Sequence, residues 1–278
     1  MNLPCIDVDG LFEAYLNRWI QGNAARYGGN MDRIEELVPE IYDAFLKAPS
    51  EELGGKSPVV FFYEISDPSE LVTWLRAYVE SSVAVPDLLL DRIVDLGQAA
   101  ESELLSLIRD ANAHRELTMA AGSMLQQMQS TVALDWYVAQ IACAESVGEL
   151  EEMYTESLLD QDGSVVQLVL KVLDQASEVG KDLFAEVLSN YPLCPESEAL
   201  LCERFLKHTE NRALFASLLA KAGVTAALPL LYDVAQQTDL NYLDYIEIAH
   251  AIEALGGESP AEREFAGDPF YESLKDMG

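Results

Sequence analysis

Cations are scarce in this chain. Its 278 residues carry 17 Lys and Arg against 48 Asp and Glu, a formal charge of −31. Such a surface repels phosphate backbones and anionic lipid, and no Lys/Arg cluster forms a local exception. Nucleic acids and membranes are therefore not expected partners. The acids number 22 in residues 1–139 and 26 in 140–278, so the charge is spread through the fold rather than carried by a tail. Solubility accounts for that charge at least as well as a basic partner does.

Cysteine and long apolar runs are also sparse. Cys5, Cys143, Cys194 and Cys202 have no framework spacing, and a chain that is 50% apolar can bury a core without disulfides. No run of apolar residues is long enough to span a bilayer. The opening MNLPCIDVDG lacks the basic start and apolar stretch of a signal peptide. A reducing, cytoplasmic setting is the expectation.

Chemistry-bearing motifs are missing. The histidines are His114, His208 and His250, and none has a second ligand at helical spacing. There is no H-E-x-x-H and no G-x-S-x-G. Cys194, Cys202 and His208 come nearest to a ligand set but match no compact zinc spacing. As a nucleophile pair they lack a third, orienting group. Asp160-Gln161-Asp162-Gly163-Ser164 resembles part of a calcium loop, but its Gly comes too early, and Ser164 reads better as a helix N-cap. No catalytic, cofactor or metal residue is expected, and the sequence points away from an enzyme.

What is present is helical periodicity. The strongest strand candidate, Val59–Tyr63, follows Ser57-Pro58, a helix opening, so 58–65 is expected as a short buried helix. Elsewhere apolar residues recur at helical spacing, as with Leu71, Trp74, Leu75 and Val79 in 68–81. Further helices are expected at 8–21, 31–47, 85–96, 101–110, 114–128, 131–144, 149–159, 164–176, 179–189, 197–208, 211–222, 224–237 and 242–255. Links of about two to seven residues force neighbouring helices to lie antiparallel.

The hexapeptides LGGKSP (53–58) and LGGESP (255–260) can each close one helix with a left-handed Gly and open another with Ser-Pro. Gly28, Gly29 and Asn30 suggest a turn, with Asp32 capping the next helix.

Helix pairs can be started near Ser69, Ala100, Val132, Ser164, Ser197 and Thr225, at spacings of 31, 32, 32, 33 and 28 residues. That period, the two short helices per unit and the Leu/Ala/Val-rich faces resemble HEAT-type repeats, with Pro229 and Asp233-Val234 as isolated family features. The resemblance covers roughly 68–256. It implies a scaffold whose concave face holds a partner. The expected fold is all-α, an αα-superhelix of antiparallel helix pairs over 67–257. An irregular helical N-terminal cap (1–66) precedes it and a tail (258–278) follows.

One stretch is one-signed. Between Arg115 and Lys171 there is no Lys or Arg across 55 residues, while nine acids occur. A shared exposed face there would steer a cationic partner, and aromatics among carboxylates recognise Lys and Arg. The candidate partner-binding residues are Asp135, Trp136, Glu145, Glu149, Glu152 and Glu156, and the expected partner is a Lys/Arg-rich protein or peptide. The alternatives are a structural protein that pairs into a homodimer through apolar end faces, and an enzyme with a closed pocket of carboxylates or the His208 region.

Overall fold

The computed structural model describes residues 5–23, 26 and 31–275. Among them every regular element is helical and there is no sheet. The Gly28-Gly29-Asn30 turn lies outside the described residues. The chain divides into two units, Met1–Ala133 and Leu134–Gly278. The boundary falls inside the stretch 67–257 expected to form one repeat region.

The first unit holds α1 (Val8–Asn23), α2 (Met31–Glu35), α3 (Val38–Lys47), α4 (Pro58–Tyr63), α5 (Pro68–Glu80), α6 (Asp87–Asp95), α7 (Glu101–Arg109) and α8 (Arg115–Gln127). The expected 31–47 helix is split before Pro39, which has no N–H to donate and crowds the preceding turn. Asp32 lies within α2 rather than capping it. Asp67 caps α5 by accepting the Ser69 N–H at 3.0 Å, with Pro68 in the first turn.

Helix α4 forms where expected but is buried on one side only, through Pro58 and Phe62. Phe62 packs edge-on to Trp74, while Val59, Val60 and Tyr63 are exposed, and Arg92 covers the Tyr63 ring. Tyr78 on α5 anchors the N-terminal segment. Its hydroxyl donates to the Ile6 carbonyl at 3.0 Å and accepts the Ile6 N–H at 3.2 Å.

The second unit holds α9 (Leu134–Ala142), α10 (Glu149–Leu159), α11 (Ser164–Val172), α12 (Glu178–Leu188), α13 (Pro195–Lys207), α14 (Arg212–Ala222), α15 (Leu228–Ala235), α16 (Tyr242–Ala254) and α17 (Pro269–Lys275). Ser164 is not an N-cap. Gly163 occupies that position, and Asp162 accepts the Ser164 N–H at 2.9 Å.

Long-range hydrogen bonds show which helices run side by side in the same direction. At the start of α12, Ser177 Oγ donates to the Ala144 carbonyl at 2.6 Å and the Ser177 N–H to the Ala142 carbonyl at 2.8 Å, where α9 closes and the link to α10 begins. At the far end, the Tyr191 hydroxyl donates to the carbonyls of Leu158 and Gln161, just at the end of α10. The start of α12 meets the link that leads from α9 into α10, and its end meets the end of α10, so α12 runs alongside α10 with their far ends together. A similar tie joins α14 to α16. The Ala213 N–H at the start of α14 donates to Asp244 Oδ1 at the start of α16 at 3.1 Å. His208 bridges α12 and α14, bonding Asp182 at 2.8 Å through Nε2 and stacking on Phe215 with centroids 4.9 Å apart. The sequence separations across these ties are 33, 30, 31 and 26 residues. Helix α13 covers α12 and α14, and α15 covers α16.

This row is held by apolar burial. Phe184, Leu201, Phe205, Ala216, Leu219 and Ile248 are wholly buried. Each larger side chain contributes about 1.5–3 kcal/mol relative to exposure.

The tail folds back onto the last helices. Phe265 is buried against Tyr242 and Tyr245, and Arg263 lies over the Tyr245 and Phe265 rings. The two glycine hexapeptides diverge here. Gly54, Gly55 and Gly256 have positive φ, but Gly257 is a packing glycine, where a Cβ would come within 2.8 Å of the Tyr232 hydroxyl. Ser259-Pro260 opens no helix.

Candidate functional site

The expected partner-binding residues separate into three places. Glu149, Glu152 and Glu156 recur at helical spacing on α10 and form one exposed stripe, while Met153, Tyr154 and Leu158 of the same helix are buried. Glu145 is exposed in the link before α10. Asp135 is exposed on α9, the helix against which α10 packs, and so is not part of the stripe. Trp136 is half-buried on α9 and reaches Tyr154 rather than the stripe. Beneath them the rings of Tyr137 and Tyr154 stack with centroids 4.9 Å apart, and burial raises the pKa of both phenols.

Helix α12 lies beside α10 and adds Glu178, Asp182 and Glu186 at i, i+4 and i+8. Their charge is not all available. Arg204 on α13 is completely buried, and it donates to Glu178 Oε2 at 2.8 Å and to Glu203 Oε1 at 2.5 Å. Its Nη1 also approaches Asp182 Oδ1 at 3.4 Å. Lys207 bonds Glu178 as well. These hydrogen bonds, from Lys207 first and then Arg204, hold the Glu178 carboxyl down to about 2. Glu186 is exposed one turn beyond Asp182 and has no ion pair among the described residues. Glu149, Glu152 and Glu156 on α10 and Glu186 on α12 are exposed, as are Glu196, Glu253, Glu258, Glu262 and Glu264 elsewhere in the second unit.

Sequence reading missed the Arg204 cluster. Its carboxylates lie 26 and 22 residues upstream of the Arg, so no local spacing marks them. Among the described residues no group of three or more His, Cys, Asp or Glu is placed to hold a metal. Cys202 is part-buried, and desolvation raises its pKa, which disfavours the reactive thiolate.

The first unit has a cavity of about 750 Å³ lined by Tyr15, Arg18, Trp19, Phe45 and Glu52 among others. Glu52 accepts from Ser50 Oγ at 2.5 Å, which lowers its pKa. A carboxyl shifted that way stays ionised at neutral pH. Among the described residues no helix is long and apolar enough to cross a membrane.

No protein-family model, curated protein or solved structure matches the chain.

Proposed function

We propose that this protein is a non-enzymatic helical-repeat scaffold that holds a Lys/Arg-rich segment of a protein partner on the open face of α10 and α12. In this reading the second unit is a stack of antiparallel helix pairs of HEAT-like kind. Same-direction neighbours recur there about every thirty residues, in step with the sequence period.

The observation that carries the proposal is the exposed stripe Glu149–Glu152–Glu156 beside a parallel helix that adds Glu186. Parallel helices lie about 8–10 Å apart, a distance that long Lys and Arg side chains on one segment can bridge. A field of one sign steers such a segment into place and selects against acidic competitors. The non-enzymatic part rests on the sequence, which carries no catalytic motif.

The test is fluorescence anisotropy with a labelled Lys/Arg-rich peptide at about 50 mM and about 500 mM salt. Binding is expected at the lower salt, weaker at the higher, and lost in the Glu152→Lys, Glu156→Lys double variant. Binding that survives this charge reversal would remove α10 as the site. No binding at low salt would sink the proposal.

A further inference from the structure

Four of the exposed large apolar side chains in the second unit gather at one end of the helix row. Leu206 sits at the close of α13, and Leu214, Leu243 and Phe270 lie in the first turns of α14, α16 and α17. Leu214 is 53% exposed, Leu243 50% and Phe270 45%. The Ala213–Asp244 hydrogen bond brings the starts of α14 and α16 together, which places Leu214 and Leu243 at the same end of the row. The Phe270 ring lies 6.1 Å from that of Tyr242, the residue before Leu243. Single exposed leucines are ordinary, but a cluster on one edge marks a surface that gains from being covered.

The same edge changes character along the row. The starts of α10 and α12 carry Glu149, Glu152, Glu178 and Asp182, whereas the starts of α14, α16 and α17 carry Leu214, Leu243 and Phe270. Glu210 and Glu247 flank the leucines, and Lys221 and His250 lie two turns farther along their helices. Of the carboxylates at the first end, Glu178 and Asp182 are occupied by Arg204, Lys207 and His208. Glu152 and Glu156 form no ion pair among the described residues.

We infer that the partner segment is a bipartite amphipathic helix lying across this edge, with apolar residues on Leu214, Leu243 and Phe270 and with Lys or Arg on the α10 stripe. This rests on the scaffold reading and names the chemistry of its partner. Charge complementarity decides the occupant: the exposed Glu152 and Glu156 at the α10 end favour a basic half, while Glu210 and Glu247 beside the leucines are set against Lys207 and Arg212, which leaves that half to apolar contact. Backbone chemistry decides its form. Among the described residues there is no sheet edge to extend, so a strand would leave its own N–H and C=O groups unpaired against the row, while a helix satisfies them internally. The length follows from the spacing. Three steps of about 8–10 Å separate α10 from α16, which a helix of roughly 16–20 residues spans.

The experiment uses the full chain and two synthetic peptides of about 20 residues. One carries Leu at helical spacing in one half and Lys and Arg in the other, and is made in both orders. The second has the same charges with every Leu replaced by Ser. The bipartite peptide in one order is expected to bind about tenfold tighter than the Ser peptide, because two or three half-exposed side chains become buried. The Leu214→Ser, Leu243→Ser double variant is expected to remove that advantage while leaving the Ser peptide unaffected. Both leucines are half-exposed, and circular dichroism checks that the variant is folded. If both peptides bind equally and the leucine variant changes nothing, the inference is overturned and the basic-peptide reading stands. If neither peptide binds the native chain, both fail together.

Discussion

Arg204 of α13 donates to Glu178 of α12 at 2.8 Å from a side chain that is entirely buried, while Glu178 itself remains more than half exposed. The guanidinium is therefore as much a core filler as an ion-pair partner. Arg204→Ala should destabilise the second unit by about 2–4 kcal/mol, chiefly through the cavity it leaves. Arg204→Met keeps most of the volume and should recover more than half of that loss. Urea midpoints of the two variants measure this, and equal midpoints would show that charge, not packing, sets the role.

The same pair gives stability a pH dependence. Hydrogen bonds from Lys207 and then Arg204 hold Glu178 at about 2 in the folded chain, below its ordinary 4.5. A carboxyl lowered on folding contributes stability above its unfolded value and loses it as pH falls toward the folded one. Glu178→Gln should therefore be less stable than the native chain near neutral pH, with the difference closing between about pH 4.5 and pH 2. A constant difference across that window would mean that another interaction is responsible.

Gly180 sits in the first turn of α12 beneath α9, where an added Cβ would collide with the Ile141 carbonyl oxygen and lie 3.2 Å from the Ala142 Cα. Alanine is favoured over glycine inside a helix by about 1 kcal/mol. Both obstacles are backbone and cannot swing away, so overpacking should win. Gly180→Ala is expected to lower stability by about 1–3 kcal/mol. A stabilised variant would show that α9 and α12 separate at no cost.

Asp244 is buried, accepts the Ala213 N–H at 3.1 Å and the Asn241 side-chain amide at 2.6 Å, and so joins α14 to α16. Asp244→Ala leaves those donors without an acceptor and should cost about 1–3 kcal/mol. Asp244→Asn keeps one carbonyl oxygen and should cost less. Denaturation of both variants tests whether the loss comes from the missing acceptor.

Much of the fold was readable from local chemistry. The helix expected at 149–159 is Glu149–Leu159, and the one expected at 68–81 is Pro68–Glu80, because caps, prolines and apolar spacing act within a few residues. The split at Pro39 was missed although its cause is local. The α10 stripe was readable as spacing, but that Trp136 turns toward Tyr154 was not, since that depends on which helix lies against α9. The burial of Arg204 and the backbone pressed against Gly180 depend on partners tens of residues away, and nothing in LCERFLKH or SEVGKD marks them. The apolar edge was invisible for the same reason: Leu214 and Leu243 come to one end of the row because α14 packs on α16.

The ties between same-direction helices reach back 26 to 33 residues in the second unit, about one helix pair. A disturbance at one pair therefore has a direct mechanical route only to the pair beside it. Losses at Gly180 and at Asp244, which share no partner, should sum to within about 0.5 kcal/mol when combined. Such insulation lets one part of the edge change its side chains, and with them its choice of partner, while pairs two steps away keep their geometry.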